Sequence, residues 1–282
     1  MRDSLPWLVL ARRRFHAECL AGPISQTNGV PSIADIANAP SRDIATALVR
    51  TIGATQSLNA KPAGQTAGAM FETACQRFLA DCLVRFSHLR PGAFSVEKGR
   101  SISLFDQYAH LDELRVLTDN SRELKIHLGT DYLIKPDIVV IRAAETDAAI
   151  NRDAFLVDDS IAQHTALRLK NGARATLHAS ISCKLTIRSD RVQNTRSEAL
   201  NLMRNRKGHL PHIAAVTAEP LPSRIAAIAL GTGDIDCVYH FALPELVAVL
   251  TEQGRESLDL VETMIAGHRL RDIADLPLDL VI

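Results

Sequence analysis

Residues 179–207 read ASISCKLTIRSDRVQNTRSEALNLMRNRK, and within this stretch the apolar period changes from two residues to about 3.6. Apolar and polar side chains alternate over 179–184, which predicts a half-buried strand with one polar face. Thr195 and Glu198 form a capping-box pattern ahead of an apolar repeat, which predicts a helix that stops at Gly208. A strand that leads into a helix favours a fold in which helices cover a sheet.

Further elements follow the same change of period. A β-branched run over 138–141 predicts a buried strand, and shorter apolar runs predict strands at 213–216 and 237–241. Helices are predicted from about Ser41, from about Gly64, and over 104–115, 244–250 and 256–266. These elements predict an α/β (α+β) fold around one central sheet. We expect a single domain, 1–282, with a helical N-terminal part (1–130), a core (about 131–243) and C-terminal helices (244–282).

The composition excludes several classes of protein. The 282 residues carry 32 basic and 32 acidic side chains, so the chain is not a polybasic protein that coats nucleic acid by bulk charge. No apolar run approaches the roughly 18–20 residues that a membrane span needs, and Arg12–Arg14 follow the apolar run at 6–11, the wrong order for a signal peptide. The five cysteines contain no CxxC pair, so we expect a soluble protein of a reducing compartment, the bacterial cytoplasm.

Three residues on neighbouring elements form a candidate catalytic set. Asp137 opens a predicted strand, Lys184 lies on the polar face of the next strong strand, and Glu198 lies near the start of a helix. Two carboxylates can hold a hard cation such as Mg²⁺, and an adjacent amine can orient or deprotonate a water that attacks phosphorus. The set therefore favours metal-assisted hydrolysis of a phosphodiester.

Each of these residues also has a structural interpretation. Pro136-Asp137 is a common turn sequence, Lys184 fits a solvated strand face, and Glu198 fits the third position of a capping box. Taken singly, these alternatives stay open. The joint order and spacing of the three residues favour the catalytic interpretation.

The segment between Lys184 and Glu198 favours a DNA partner. Arg188 and Asp190 fall in the predicted loop, where an arginine can bind guanine and an aspartate can accept from cytosine in the major groove. From Lys184 to Lys207 there are seven basic residues against two acidic ones, a balance typical of a phosphate-facing surface. A self-paired surface loop is the alternative.

Nearly the whole chain resembles type II restriction endonucleases of the PD-(D/E)xK superfamily that recognise CCGG-containing sites. The resemblance is carried by ISCKLTIRSDR from Ile181, RSEALNLMRNRKG from Arg196, LGTDYLIKPD ending at Asp137, and ALGTGDIDCVYHFAL from Ala229. It implies a central mixed sheet flanked by helices, Mg²⁺ dependence, and cleavage of the palindrome GCCGGC after its first G. It also implies a homotetramer of two dimers, and a restriction role implies a cognate DNA methyltransferase in the host.

The resemblance also assigns site residues by position. Asp137, Lys184 and Glu198 match the active site, and Ser182 stands where most members of the superfamily have an acid, which Glu198 then supplies from the neighbouring helix. The remaining assignments are Glu72 as a further acid of the metal site, the backbone carbonyl of Cys183 as a metal ligand, Arg188 and Asp190 as readers of the inner CCGG pairs, Arg191 and Asp35 as readers of the outer G·C pair, and Gln65 and Arg224 as minor-groove contacts.

Two other hypotheses remain. The chain could be a sequence-specific DNA-binding protein whose nuclease site has decayed, which the intact set of Asp137, Lys184 and Glu198 disfavours. It could also be a nuclease of the same core that cuts another CCGG-containing site, or damaged or branched DNA. The pair of Arg188 and Asp190 disfavours a structure-selective enzyme, which has little use for base-specific contacts.

Overall fold

A six-stranded sheet forms the centre of the computed structural model, which describes residues 5–53, 64–128, 132–172, 174–231 and 233–282, with the backbone alone at 64, 65, 128 and 189–191. Its strands run in the order β3-β4-β5-β6-β7-β8, and β1 and β2 form a separate two-stranded ribbon. The strands are β1 (Gln26–Thr27), β2 (Val30–Pro31), β3 (Phe94–Lys98), β4 (Ile138–Arg142), β5 (Thr176–Lys184), β6 (His212–Thr217), β7 (Cys237–His240) and β8 (Leu270–Asp272).

Helices cover both faces of this sheet in the described residues. They are α1 (Trp7–Ala21), α2 (Ala39–Thr51), α3 (Gly64–Arg85), α4 (His110–Asp119), α5 (Arg122–Leu128), α6 (Asp147–Ile150), α7 (Ser189–Asn205), α8 (Pro222–Ala229), α9 (Leu243–Glu252), α10 (Ser257–Ala266) and α11 (Leu276–Asp279). None of them is long and apolar enough to span a bilayer. A mixed sheet between helices confirms the predicted fold class.

The register of the sheet decides which side chains meet at its edge. Strands β3, β4 and β5 pair antiparallel, whereas β5 to β8 pair parallel. Ile138, the first residue of β4, lies opposite Lys98 on one side and Ile181 on the other. Asp137, one residue before the strand, therefore lies beside the last residues of β3 and β5.

Strand β5 is buried along nearly its whole length, so the prediction of a half-buried strand was wrong. Strands pair with it on both sides, and helices cover both of its faces. The Cys183 thiol contacts the Cys75 thiol of α3, whereas the Ser182 hydroxyl faces Thr195 of α7. Consecutive side chains of a strand point to opposite faces, so α3 and α7 lie on opposite faces of β5. The serines of the alternating pattern are buried polar groups rather than a wet surface.

Helix α7 begins earlier than its sequence predicts. It starts at Ser189, with Arg188 as its N-cap residue, and ends at Asn205 rather than at Gly208. Thr195 therefore lies in the helix interior, where it is buried, and the predicted capping box was wrong. The loop predicted around Arg188 is also shorter, because residues 189–191 belong to the first turn of the helix.

The helix predicted over 104–115 is partly wrong. Residues 102–104 and 106–108 form two short 3₁₀ turns, and the α-helix itself begins at His110. Phe105 between the turns has extended backbone angles and a buried side chain, so packing of this ring interrupts the helix that the spacing suggests. Cys75 and Cys82 are fully buried on α3 and belong to the apolar core.

Candidate active site

Asp137 and Lys184 meet at the edge of the sheet. The Oδ2 atom of Asp137 accepts from the Lys184 Nζ at 2.8 Å and from the Cys183 backbone N–H at 2.7 Å. Both side chains remain partly open to solvent, with 22% of Asp137 and 18% of Lys184 exposed. Burial alone would lower the pKa of Lys184, but the adjacent carboxylate outweighs it, so the pKa is raised. The amine and the acid form a charged pair that a solute can reach.

Glu198 faces this pair from α7. Burial raises the pKa of its carboxyl group, the Lys184 charge acts in the opposite direction, and the Asp137 charge adds to the rise. The three groups thus lie within electrostatic range of one another, as the sequence predicts. Since Thr195 is not the N-cap of this helix, the capping-box interpretation of Glu198 is excluded.

A cleft of about 620 Å³ opens beside Glu198. One wall is the segment that leads to Asp137, including Lys135, and the other is a face of α7 that includes Asn194, Asn201 and Arg204. Together with Glu198, these helix residues recur at intervals of three to four along the chain, so they line one side of the helix. The basic side chains of Lys135 and Arg204 at this cleft suit an anionic backbone.

Glu72 approaches the same edge from α3. Burial raises the pKa of its carboxyl group, the Asp137 charge adds to that rise, and Lys98 opposes it. The Lys98 Nζ lies 3.4 Å from Glu72 and donates to the Ala69 carbonyl at 3.0 Å and the Thr73 hydroxyl at 2.9 Å. Sequence reasoning missed Lys98, because β3 was not predicted. An alternating run that ends in a lysine at 94–98 is the signal that could have identified it.

Ser182 is 7% exposed, and its hydroxyl lies 3.5 Å from Asp137 and 3.4 Å from the Thr195 hydroxyl. A neutral hydroxyl, that of Ser182, therefore occupies the position of β5 that lies next to Asp137. Glu198, on the helix that covers this face of the strand, is the second carboxylate near Lys184.

The donor set matches a hard dication in chemical type. Carboxylates from Asp137, Glu198 and Glu72, with the Cys183 carbonyl, are oxygen ligands of the kind that Mg²⁺ prefers. Asp137 contributes to the raised pKa of both glutamates, and a cation between them would relieve this repulsion. In the described residues, no three acidic, histidine or cysteine side chains lie close enough together to coordinate an ion.

The structure describes the side chains of some, but not all, of the proposed DNA-contacting residues. Arg188 is exposed at the start of α7, and Arg224 of α8 forms an ion pair with Asp35. The pKa of Asp35 is lowered by its hydrogen bond from Arg224, by the Ala37 N–H and by the charge of Arg188. The side chains of Asp35, Arg224 and Arg188 therefore lie near one another. The side chains of Gln65, Asp190 and Arg191 lie outside the described residues.

A mixed sheet between helices, with an acid–lysine pair at its edge, is consistent with the fold of a restriction endonuclease. The family model described as NgoMIV restriction enzyme matches residues 15–282. The chain is 50% identical over 285 residues to the Type II restriction enzyme NgoMIV of Neisseria gonorrhoeae, an alignment that covers 98% of this chain and 99% of that protein. The chain belongs to the NgoMIV restriction enzyme family and is a type II site-specific deoxyribonuclease, which confirms the predicted resemblance and enzyme class.

Proposed function

We propose that this restriction enzyme cleaves double-stranded DNA at the palindrome GCCGGC, after the first G, in a Mg²⁺-dependent reaction. The observation that carries the proposal is the pair of Asp137 and Lys184, joined at 2.8 Å across neighbouring strands with Glu198 facing them. In a decayed site nothing would maintain a lysine, a partner acid and a second carboxylate in this arrangement.

The chain's own residues have distinct roles in this proposal. Asp137, Glu198 and the Cys183 carbonyl hold the metal, assisted by Glu72, and the bound ion supplies charge that stabilises the leaving oxygen. Lys184 orients the attacking water and counters negative charge at phosphorus, since Asp137 holds its ammonium group at the edge of the sheet, near Glu198. The Ser182 hydroxyl, 3.5 Å from Asp137, helps to orient that carboxylate.

Base recognition is assigned to the surface beside this site. Arg188 and Asp190 read the inner CCGG pairs, and Arg191 and Asp35 read the outer G·C pair. Gln65 and Arg224 contact the minor groove. The exposed Arg188 and its neighbours Asp35 and Arg224 support this assignment, because they lie on the same side of the molecule.

The enzyme is proposed to act as a homotetramer of two dimers. A palindromic site calls for two-fold symmetry and hence at least a homodimer. The excursion between β4 and β5, residues 143–172 of the described chain, supports a further contact. Phe155 is 81% exposed, Leu156 62% and Ile161 58%, whereas Arg168 of the same segment is buried and binds Asp147. Ordered apolar surface of this kind is typical of an interaction site.

The proposal places the enzyme in the bacterial cytoplasm, where its DNA substrate is, together with a methyltransferase that protects the host's own sites. Sedimentation velocity checks the assembly: a tetramer is expected, and a dimer at micromolar concentration would overturn that part of the proposal alone.

Cleavage of two plasmids tests the function. One plasmid carries two GCCGGC sites and the other carries none, with and without Mg²⁺ and a chelator, and the fragment ends are sequenced. Cuts after the first G of GCCGGC only, abolished by the chelator, are expected. Cuts at another CCGG-containing site would keep Arg188 and Asp190 as readers but overturn the roles of Asp35 and Arg191. Specific binding without cleavage would favour the DNA-binding protein with a decayed site.

A further inference from the structure

Glu219 is a buried acid that the sequence pattern does not single out. It follows β6 and precedes α8, and its side chain is fully buried. Its carboxylate accepts from the Ile187 N–H at 2.8 Å through one oxygen and from the Leu221 N–H at 3.2 Å through the other. A buried carboxylate is costly unless such donors satisfy it, so these contacts fix where the two backbone segments lie.

Both segments lead directly to proposed DNA-contacting residues. Ile187 is the residue before Arg188, on the connection from β5 into α7. Leu221 is the N-cap residue of α8, the helix that carries Arg224. The carboxylate of Glu219 thus joins two backbone segments. One leads to Arg188, a proposed major-groove reader, and the other begins the helix that carries Arg224, a proposed minor-groove contact.

A third piece of the interface reaches the same acid through Arg224. One guanidinium nitrogen of Arg224 lies 3.9 Å from Glu219, and the other pairs with Asp35, which comes from the N-terminal region of the chain. Asp35 in turn lies near Arg188. Glu219 is therefore the fully buried member of a set of neighbouring groups that also includes the partly buried Asp35 and Arg224 and the exposed Arg188.

We infer that Glu219 is a positioning residue for sequence discrimination, which holds the Arg188 segment in register with the Arg224–Asp35 pair. This inference rests on the proposed assignment of those three residues to DNA. Base-specific hydrogen bonds depend steeply on geometry, so a shift between the two segments reduces the preference for the correct base pair. The edge of the sheet that carries Asp137 and Lys184 is not part of these contacts.

Glu219→Gln tests the inference. The amide keeps the size of the side chain but replaces one acceptor by a donor, which then faces either the Ile187 or the Leu221 N–H. Cleavage rates are measured at the site that the wild type itself cuts and at sites with one base pair changed. The ratio of these rates is expected to fall on the order of tenfold in the variant, the effect of about one lost base contact. Thermal denaturation checks that the variant is folded.

Asp272→Asn is the matched control. Asp272 also accepts from two backbone N–H groups, those of Leu243 and Ala274, each at 3.0 Å, and it also pairs with an arginine, Arg12. Its contacts join β8 to α1 and α9, and none of them involves Arg188, Asp35 or Arg224. The control is expected to lose stability but to keep the discrimination ratio, because loss of folded protein lowers both rates equally.

Two results would overturn the inference: a folded Glu219→Gln variant with the wild-type ratio, or an equal loss of discrimination in Asp272→Asn. If Glu219→Gln does not fold, Glu219→Asp is used instead, because it keeps the charge on a shorter side chain. The discrimination ratio at the same sites is then expected to fall by less than about tenfold. Failure of the proposed function is visible separately, since the wild type would then cut a site other than GCCGGC.

Discussion

At the scale of single residues, the site depends on one oxygen atom. Asp137 Oδ2 accepts from both the Cys183 N–H and the Lys184 Nζ. The backbone donor is fixed by the sheet, so it sets the direction of the carboxylate, and the carboxylate in turn sets the position of the ammonium group. The ammonium group of Lys184 is therefore held at a fixed place beside Asp137, although the lysine side chain is long and flexible.

Replacement of Lys184 separates chemistry from binding. Lys184→Ala is expected to lower the rate of DNA cleavage by about 10²–10⁴-fold, the range for a group that assists proton transfer. Specific DNA affinity is expected to persist, because the proposed base-contacting residues are elsewhere. Single-turnover cleavage and fluorescence anisotropy measure the two quantities. Lys125→Ala, an exposed lysine of α5 that lies 3.7 Å from Asp119, is the control. A Lys184→Ala variant that cuts like the wild type would remove the catalytic assignment.

At the scale of elements, the sequence predicts the central strands and the long helices but not the pieces that complete the site. Asp137 and Lys184 could be related because each lies at the end of a strongly patterned strand, and Glu198 because it lies on the patterned helix that follows. Lys98 and Glu219 could not be related to this site from the sequence. Lys98 ends β3, a short edge strand, and Glu219 follows β6 but belongs to no sequence motif. Their roles come from contacts between residues far apart in the chain, such as Glu219 with Ile187.

Helix boundaries fail for a related reason. The Thr195–Glu198 pattern has the form of a capping box, but α7 starts at Ser189, and the buried Thr195 hydroxyl faces Ser182 instead. A tertiary contact thus takes the group that the local motif would use. Helix α1 was not predicted because three successive arginines interrupt its apolar pattern, yet Arg12 binds the buried Asp272 and the partly buried Glu245.

The contact between β3 and α3 yields a prediction about Glu72. Lys98→Met removes an ammonium group that lies 3.4 Å from Glu72 and donates a hydrogen bond to the Ala69 carbonyl. The cleavage rate is expected to fall about 10–100-fold, as when a group that orients a metal-binding residue is lost, and Lys98→Arg is expected to restore part of it. Titration of cleavage against Mg²⁺ concentration provides the measurement.

A matched variant separates this role from simple docking of the helix. Gln76 also joins α3 to β3, through a hydrogen bond from its amide to the Val96 carbonyl at 2.9 Å, but it carries no charge that would act on Glu72. Gln76→Leu is expected to lower the melting temperature and leave the Mg²⁺ dependence unchanged. Equal changes of Mg²⁺ dependence in both variants would show that Lys98 only holds α3 against β3 and has no specific effect on Glu72.

At the scale of the whole molecule, two buried histidines join distant parts of the chain in their neutral form. The Nε2–H of His178 on β5 donates to the Leu280 carbonyl at 2.7 Å, near the end of the chain. His240 on β7 donates to the Glu219 carbonyl and accepts from the Ala242 N–H, each at 3.2 Å, which a doubly protonated ring cannot do. Burial lowers the pKa of each histidine to about 4.

These pKa values predict how stability depends on pH. In the unfolded chain a histidine binds its proton near pH 6.5, whereas in the folded protein it does so only near pH 4. Between these values the unfolded state binds more protons, so the free energy of unfolding falls as the pH is lowered from about 6.5 towards 4. At pH 5 each histidine is expected to account for a loss of about 2 kcal/mol relative to neutral pH.

Urea unfolding at pH 7.5, 6 and 5, at one fixed protein concentration because the chain is proposed to assemble, measures this loss. His178→Gln keeps a donor for the Leu280 carbonyl but removes the titration, so its stability is expected to fall by about 2 kcal/mol less than that of the wild type between pH 7.5 and 5. His164→Gln, at an exposed position, should follow the wild-type curve. If His178→Gln instead lost as much stability as the wild type, the neutral His178 would not be what secures the C-terminal segment to β5. The acid sensitivity between pH 7.5 and 5 would then have to come from other buried histidines such as His240, whose pKa is also lowered to about 4. Carboxylates are not alternatives in this range: the pKa of Glu245 is lowered by Arg12 against the effect of burial, so the stability that this acid provides is lost only as the pH falls below its usual pKa, near 4.5.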